Sequence, residues 1–216
     1  MQMARTIIFP SIQNLCQDLM EELHIISEPR KNALLRLSGY IIKKYQHQKT
    51  PKITVICTHN SRRSHLGQIW LAVAAQYFEL PKIETYSGGT EATAFNPRAV
   101  SALQLLGFKI VRKKGVTTQN PLYEVRWSGE GLPYPAFSKR YNTAPNPTDN
   151  FAAIMVCNEA DRGCPLVAGA DFRIALPFED PKLFDGTALE KEKYVERARQ
   201  IGREMLYVMQ AVRVKL

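Results

Sequence analysis

A short β-branched run, Ile53-Thr54-Val55-Ile56, leads straight into Cys57, and six residues later Arg63 and Ser64 open a helical pattern that continues to Phe78. A short, continuously apolar run marks a strand buried on both faces of a parallel sheet. The same texture recurs downstream. Lys82–Tyr86 reads as a strand, Asn96–Leu106 as a helix stopped by Gly107, and Phe108–Val111 as a further short strand. Phe151–Val156 is a strong strand, Phe172–Leu176 a weaker one, and Thr187–Val214 a long closing helix. Strands alternating with helices predict an α/β protein with a mainly parallel sheet and helices on both faces.

The first fifty residues differ. Ile12, Leu15, Leu19 and Leu23 recur at the helical period, and after Glu28-Pro29 so do Leu34, Leu37, Tyr40, Ile41 and Tyr45. The polar stretch Gln46–Pro51 reads as a linker. Residues 1–50 are therefore expected to form a helical N-terminal extension and residues 51–216 the α/β domain. Thr117–Asn150, rich in proline, glycine and asparagine, reads as a long loop.

Composition excludes several classes. With 45% apolar and 23% charged residues, the chain has the balance of a globular protein. Its longest uncharged apolar run, Ile69–Phe78, is too short to span a bilayer. The opening residues carry no signal-peptide pattern, so the expected address is cytoplasmic, with no membrane partner. The net charge of +9 is compatible with a solvated basic surface or with attraction for anions. Basic residues are scattered and not interleaved with aromatics, so nucleic-acid binding is not expected. The cysteines Cys16, Cys57, Cys157 and Cys164 form no C-x-x-C pair, and no metal site is expected. His59 and His65 read as exposed loop histidines, and Cys16 as a core thiol.

The segment from Cys57 to Ser64 holds the chemistry. In open parallel sheets, ligands bind outside the carboxyl ends of strands. A loop there, running into a helix, aims backbone N–H groups and the positive helix end at one point, a receptor for a tetrahedral oxyanion. Thr58, His59, Asn60, Ser61, Arg62, Arg63 and Ser64 would form that cup, with the Arg63 fork on the outer oxygens. The same field favours a thiolate at Cys57, and the Ser64 hydroxyl is placed to donate to it. Asn60 can brace the loop. On spacing alone, a buried strand-end thiol and an unrelated surface arginine remain open.

These residues resemble the low-molecular-weight protein tyrosine phosphatase superfamily, whose signature C-x-x-N-x-x-R-S is met by Cys57, Asn60, Arg63 and Ser64. Tyr86-Ser-Gly-Gly-Thr90, then Asn96-Pro-Arg-Ala-Val100 and Leu106-Gly107, look like the family's second strand, turn and following helix. Phe178-Glu-Asp180-Pro181 looks like its general-acid loop. The resemblance implies a three-layer α/β/α fold around a four-stranded sheet, with Asp180 protonating the leaving oxygen and Asp185 as a rival. Cys157 and Cys164-Pro165 resemble the thioredoxin-coupled arsenate reductases of the same superfamily. That likeness implies a three-thiol relay: Cys57 attacks arsenate, Cys157 attacks Cys57, Cys164 attacks Cys157, and thioredoxin reduces the final disulfide. The segment between Cys157 and Cys164 would have to be mobile.

Several positions depart from the pattern. His59 stands where glycine is usual, and Arg62 where a cysteine or small residue is. Gln68 stands where such reductases carry a carboxylate that helps bind potassium, which speaks against potassium dependence. Tyr123, Trp127, Tyr134, Phe137 and Tyr141 could wall a phosphotyrosine pocket or pack the insertion. Arsenate reduction is the expected function, with no bound cofactor and thioredoxin as reductant. The alternative is phosphotyrosine hydrolysis through a cysteinyl-phosphate, and a non-catalytic oxyanion sensor is a third reading.

Overall fold

The structure is a computed structural model and describes residues 8–113, 119–163 and 166–216. Its centre is a four-stranded parallel sheet of β1 (Lys52–Cys57), β2 (Glu84–Gly89), β6 (Phe151–Met155) and β7 (Ala170–Ala175), in the order β2-β1-β6-β7. Every residue of β6 is buried, as a continuous apolar run in a parallel sheet requires. Helix α3 (Arg63–Tyr77) follows β1 and packs on β1 and β2. α4 (Pro97–Leu105) follows β2, and the long α6 (Glu190–Lys215) packs across both helices. The short α5 (Asn158–Gly163) follows β6 and lies near β1 and β6. The arrangement is the three-layer α/β/α fold expected.

Two helices precede the sheet: α1 (Pro10–Glu21), continued by a 3-10 turn at Glu22–Ile25, and α2 (Glu28–Gln46). Both pack on α6, and their apolar stripes (Ile12, Leu15 and Leu19; Leu34, Leu37 and Ile41) join the same apolar cluster as the sheet.

The long loop expected over Thr117–Asn150 is corrected. It contains β4 (Tyr123–Arg126) and β5 (Tyr134–Ala136), which pair antiparallel with β3 (Lys109–Arg112) in a separate sheet, β3-β4-β5. Only Val125 in β4 and Ala136 in β5 are buried, so neither strand is long enough to display an alternating pattern. Residues 138–141 run beside the end of β2. Gly89 N–H donates to the Lys139 carbonyl at 2.9 Å, and Tyr141 N–H donates to the Gly89 carbonyl at 2.9 Å. The end of the insertion is thereby brought against the loop that follows β1.

Candidate active site

Parallel register brings Cys57, the last residue of β1, beside Gly89, the last residue of β2. A Cβ at Gly89 would stand 2.2 Å from the Glu91 carbonyl oxygen, 2.6 Å from that of Thr58 and 2.7 Å from the Asn60 nitrogen. Glycine is therefore the residue that lets the loop fold over the strand end. The loop turns at Asn60, which is fully buried with φ +43°, a left-handed conformation that asparagine tolerates.

Asn60 holds the loop from inside. Its Nδ2 donates to Ser64 Oγ at 2.9 Å, and its Oδ1 accepts from the Lys139 backbone N–H at 2.8 Å. With its oxygen already accepting from Asn60, Ser64 keeps its own proton for Cys57 Sγ, 3.0 Å away. Cys57 is buried at the sheet end, beneath the start of α3.

Arg63, the first residue of α3, reaches from the loop to the segment after β7. Its Nη1 donates to the Phe178 carbonyl at 2.8 Å, and its Nη2 pairs with Asp180 Oδ2 at 2.7 Å. Asp180 also caps the 3-10 turn Pro181–Phe184, accepting from Lys182 N–H at 3.1 Å. The Cys57 loop, Arg63 and the candidate acid Asp180 thus meet at one end of the sheet. Asp185 lies at the other end of that turn and accepts from the Tyr194 hydroxyl at 2.7 Å. Arg62 turns away from the cup: its Nε donates to the Tyr194 hydroxyl at 2.8 Å.

Thr58 and His59 line the outer side. Thr58 Oγ1 stands 3.4 Å from Cys157 Sγ, so the thiol two residues past the end of β6 lies against the residue following Cys57. Cys157 is fully buried, and the Ala160 N–H points at its sulfur at 3.4 Å. The His59 side chain is exposed; its carbonyl accepts from Thr93 Oγ1 at 3.0 Å and Ser138 Oγ at 3.1 Å. Ser61 is buried, and its carbonyl accepts from Asn96 N–H at 2.8 Å. Cys164 lies outside the described residues. The segment before it, expected to be mobile, is the helix α5, with Asp161 held at its carbonyl and carboxylate by Arg173 at 2.8 and 2.6 Å.

The exposed placement expected for His65 is corrected. It is fully buried and stacked on Phe95 with ring centroids 4.1 Å apart. Burial, helped by the nearby Lys139 charge, pushes its pKa well below the ordinary histidine value, so the ring is neutral. Its position on the first turn of α3 directs it inward, which the polar neighbours in sequence concealed. Cys16 is a core thiol whose pKa is pushed up to about 12 by burial.

The aromatic residues of the insertion mostly pack. Trp127 is buried and donates to Gln76 Oε1 at 2.7 Å. Tyr123 meets Phe95 edge-on, and the Tyr134 hydroxyl bonds Thr85. Gln68 donates to the Thr85 carbonyl at 3.2 Å and to the Tyr134 hydroxyl at 2.9 Å, tying α3 to β2 and to the second sheet. Among the described residues, no group of three or more His, Cys, Asp or Glu is placed to hold a metal ion, and no helix is long and apolar enough to cross a membrane. Sequence reasoning missed Lys139, Ser138, Thr93 and Tyr194. They support the loop from distant segments that carry no motif, and only the fold brings them there.

No family model matches the chain. An arsenate reductase of Bacillus subtilis (strain 168) is 27% identical over 154 residues, covering 71% of this chain and 91% of that protein. An arsenate reductase of Halalkalibacterium halodurans is 25% identical over 154 residues, again covering 71% and 91%. The crystal structure of a YwlE mutant from Bacillus subtilis superposes with a TM-score of 0.51 at 12% identity, covering 74% of this chain and 97% of that one, a likeness of fold.

Proposed function

We propose that this chain belongs to the low-molecular-weight protein tyrosine phosphatase superfamily and reduces arsenate to arsenite through a relay of three cysteines, a reading that the arsenate reductase relatives and the likeness of fold support. The observation that carries the reading is the position of Cys157, whose sulfur lies 3.4 Å from the Thr58 hydroxyl, one residue from the proposed nucleophile. In this reading the Cys57 thiolate attacks arsenic(V), and Asp180 protonates the departing hydroxide to water. Cys157 then attacks Cys57 Sγ. A sulfur–sulfur bond forms, the sulfur–arsenic bond breaks, and its electron pair stays on arsenic, which leaves as arsenite. Cys164 attacks Cys157 Sγ, regenerating the Cys57 thiolate and moving the disulfide outward to a dithiol reductant of the thioredoxin type. A cytoplasmic setting, where such reductants are maintained, belongs to the same proposal.

The relay asks the segment after Cys157 to rearrange. Any such movement of α5 has to contend with the Arg173–Asp161 contact at 2.6 Å. Phosphotyrosine hydrolysis shares the first step and would use Cys57, Arg63 and Asp180 alone. The packing of Tyr123, Trp127 and Tyr134 leaves it less aromatic surface for a phenol ring. Substitution Cys164→Ser separates the two. Arsenate-dependent oxidation of a thioredoxin system should be lost while aryl-phosphate hydrolysis persists; undiminished arsenate turnover would refute the relay.

A further inference from the structure

Arg62 stands inside the oxyanion loop, yet its side chain does not serve the anion. Its Nε donates to the Tyr194 hydroxyl at 2.8 Å, Tyr194 donates to Asp185 Oδ1 at 2.7 Å, and Arg62 Nη2 lies 3.6 Å from Asp185 Oδ2. The Tyr194 ring is buried in the body of α6 and is a fixed post. Asp185 closes the 3-10 turn Pro181–Phe184, its N–H bonding the Lys182 carbonyl at 3.0 Å, and Asp180 caps the start of the same turn. A four-residue turn held by its own hydrogen bonds moves as one piece. Holding Asp185 therefore holds Asp180.

Two adjacent arginines thus grip the two ends of one short segment. Arg63 grips the Asp180 end, but with the group an incoming oxyanion needs. A tetrahedral anion in the cup competes with Asp180 for the Arg63 fork, since a bidentate guanidinium serves one partner face at a time. When the substrate wins, the acid segment loses its ion pair at the moment when the acid must stay near the leaving oxygen. The Arg62–Tyr194–Asp185 anchor does not touch the anion and survives that exchange. Arg98 strengthens it from the far side, with Nε 3.8 Å from Asp185 Oδ1 and 2.7 Å from Glu190 Oε2.

We infer that Arg62 is a positioning residue, which keeps Asp180 over the leaving oxygen after Arg63 has turned from Asp180 to the substrate. The inference rests on the proposed roles of Cys57 and Asp180, and its test keeps the two apart. The probes are phenyl phosphate, whose poor leaving group needs an acid, and 2,4-dinitrophenyl phosphate, whose good one does not. In Asp180→Asn the ratio of kcat/KM for the phenyl over the dinitrophenyl ester should fall by about 10²-fold or more. In Arg62→Met the same ratio should fall about 10-fold, with partial recovery in Arg62→Lys, and Arg62→Met should add no further fall in an Asp180→Asn background. Tyr194→Phe, which removes only a hydroxyl, should reproduce the pattern more weakly and serves if Arg62→Met does not fold. An Arg62→Met enzyme that slows both esters equally, or that multiplies the Asp180→Asn defect, overturns the inference. If Asp180→Asn is itself indifferent to the leaving group, or the wild type hydrolyses neither ester, the reading of the site has failed and takes this inference with it.

Discussion

At the scale of single residues, Asn60 was legible and its partner was not. A polar residue at the crown of a tight loop, with φ +43°, is recognisable from its place between Cys57 and Arg63. Its acceptor bond from Lys139 joins residues 79 apart, and nothing in a stretch without periodicity marks residue 139. Lys139 is costly to keep there. It is almost fully buried, its ammonium meets, among the described residues, the Phe137 carbonyl at 3.3 Å and the Phe137 ring, and burial pulls its pKa from the usual 10.5 down to about 8. Between those values the unfolded chain binds more protons than the folded one, so this residue's contribution to stability rises with pH across that window and is at its worst below 8. Lys139→Met should therefore be more stable than the wild type at pH 7, by up to about 3 kcal/mol, with the advantage fading as the pH approaches 10.5. Urea unfolding of both proteins at a series of pH values measures it; a difference independent of pH would exclude a buried ammonium.

Among elements, those with a long period or a wholly apolar run were readable: α3, α6, β1 and β6 each lie within a few residues of where the sequence puts them. β2 ran differently. Ser87-Gly88-Gly89 has the look of a turn, but parallel pairing to β1 carries all three into the strand. The glycines serve close approach: a Cβ at Gly88 would lie 2.3 Å from the Tyr141 Cα, and one at Gly89 would strike three loop atoms. Gly89→Ala should cost about 1–3 kcal/mol of stability, as overpacking does, and should weaken inorganic phosphate binding because the strain falls on Thr58 and Asn60. Gly129→Ala, with open space around it, is the control. Thermal unfolding and calorimetric titration with phosphate report the two effects; phosphate affinity unchanged in Gly89→Ala would mean the loop is set elsewhere.

For the whole molecule, the N-terminal helices are bound into the same apolar cluster as the sheet, and one residue carries them to the edge of the site. Arg30 of α2 pairs with Glu204 of α6 at 2.7 Å, and its guanidinium lies 4.7 Å from the centre of the Phe178 ring, whose carbonyl accepts from Arg63. The Glu204 carboxylate is buried, which raises its pKa against the pull of Arg30. Arg30→Met should cost about 3–5 kcal/mol at neutral pH by removing the guanidinium that pairs with that buried charge and leaving it the weaker contact from Gln200 at 3.2 Å. The deficit should shrink as the pH falls through the raised pKa and Glu204 becomes neutral, which denaturant unfolding at neutral and acid pH tests. The sequence by itself determined the α/β class, the strand–loop–helix around Cys57, and the residue types for an oxyanion cup, because each rests on spacing within a few residues. Tertiary structure alone decided which distant groups close that cup: Lys139 behind Asn60, Asp180 on Arg63, Tyr194 under Arg62 and Cys157 against Thr58. Those contacts arise from strand order and helix packing, which join segments far apart in the chain and leave no local pattern to read.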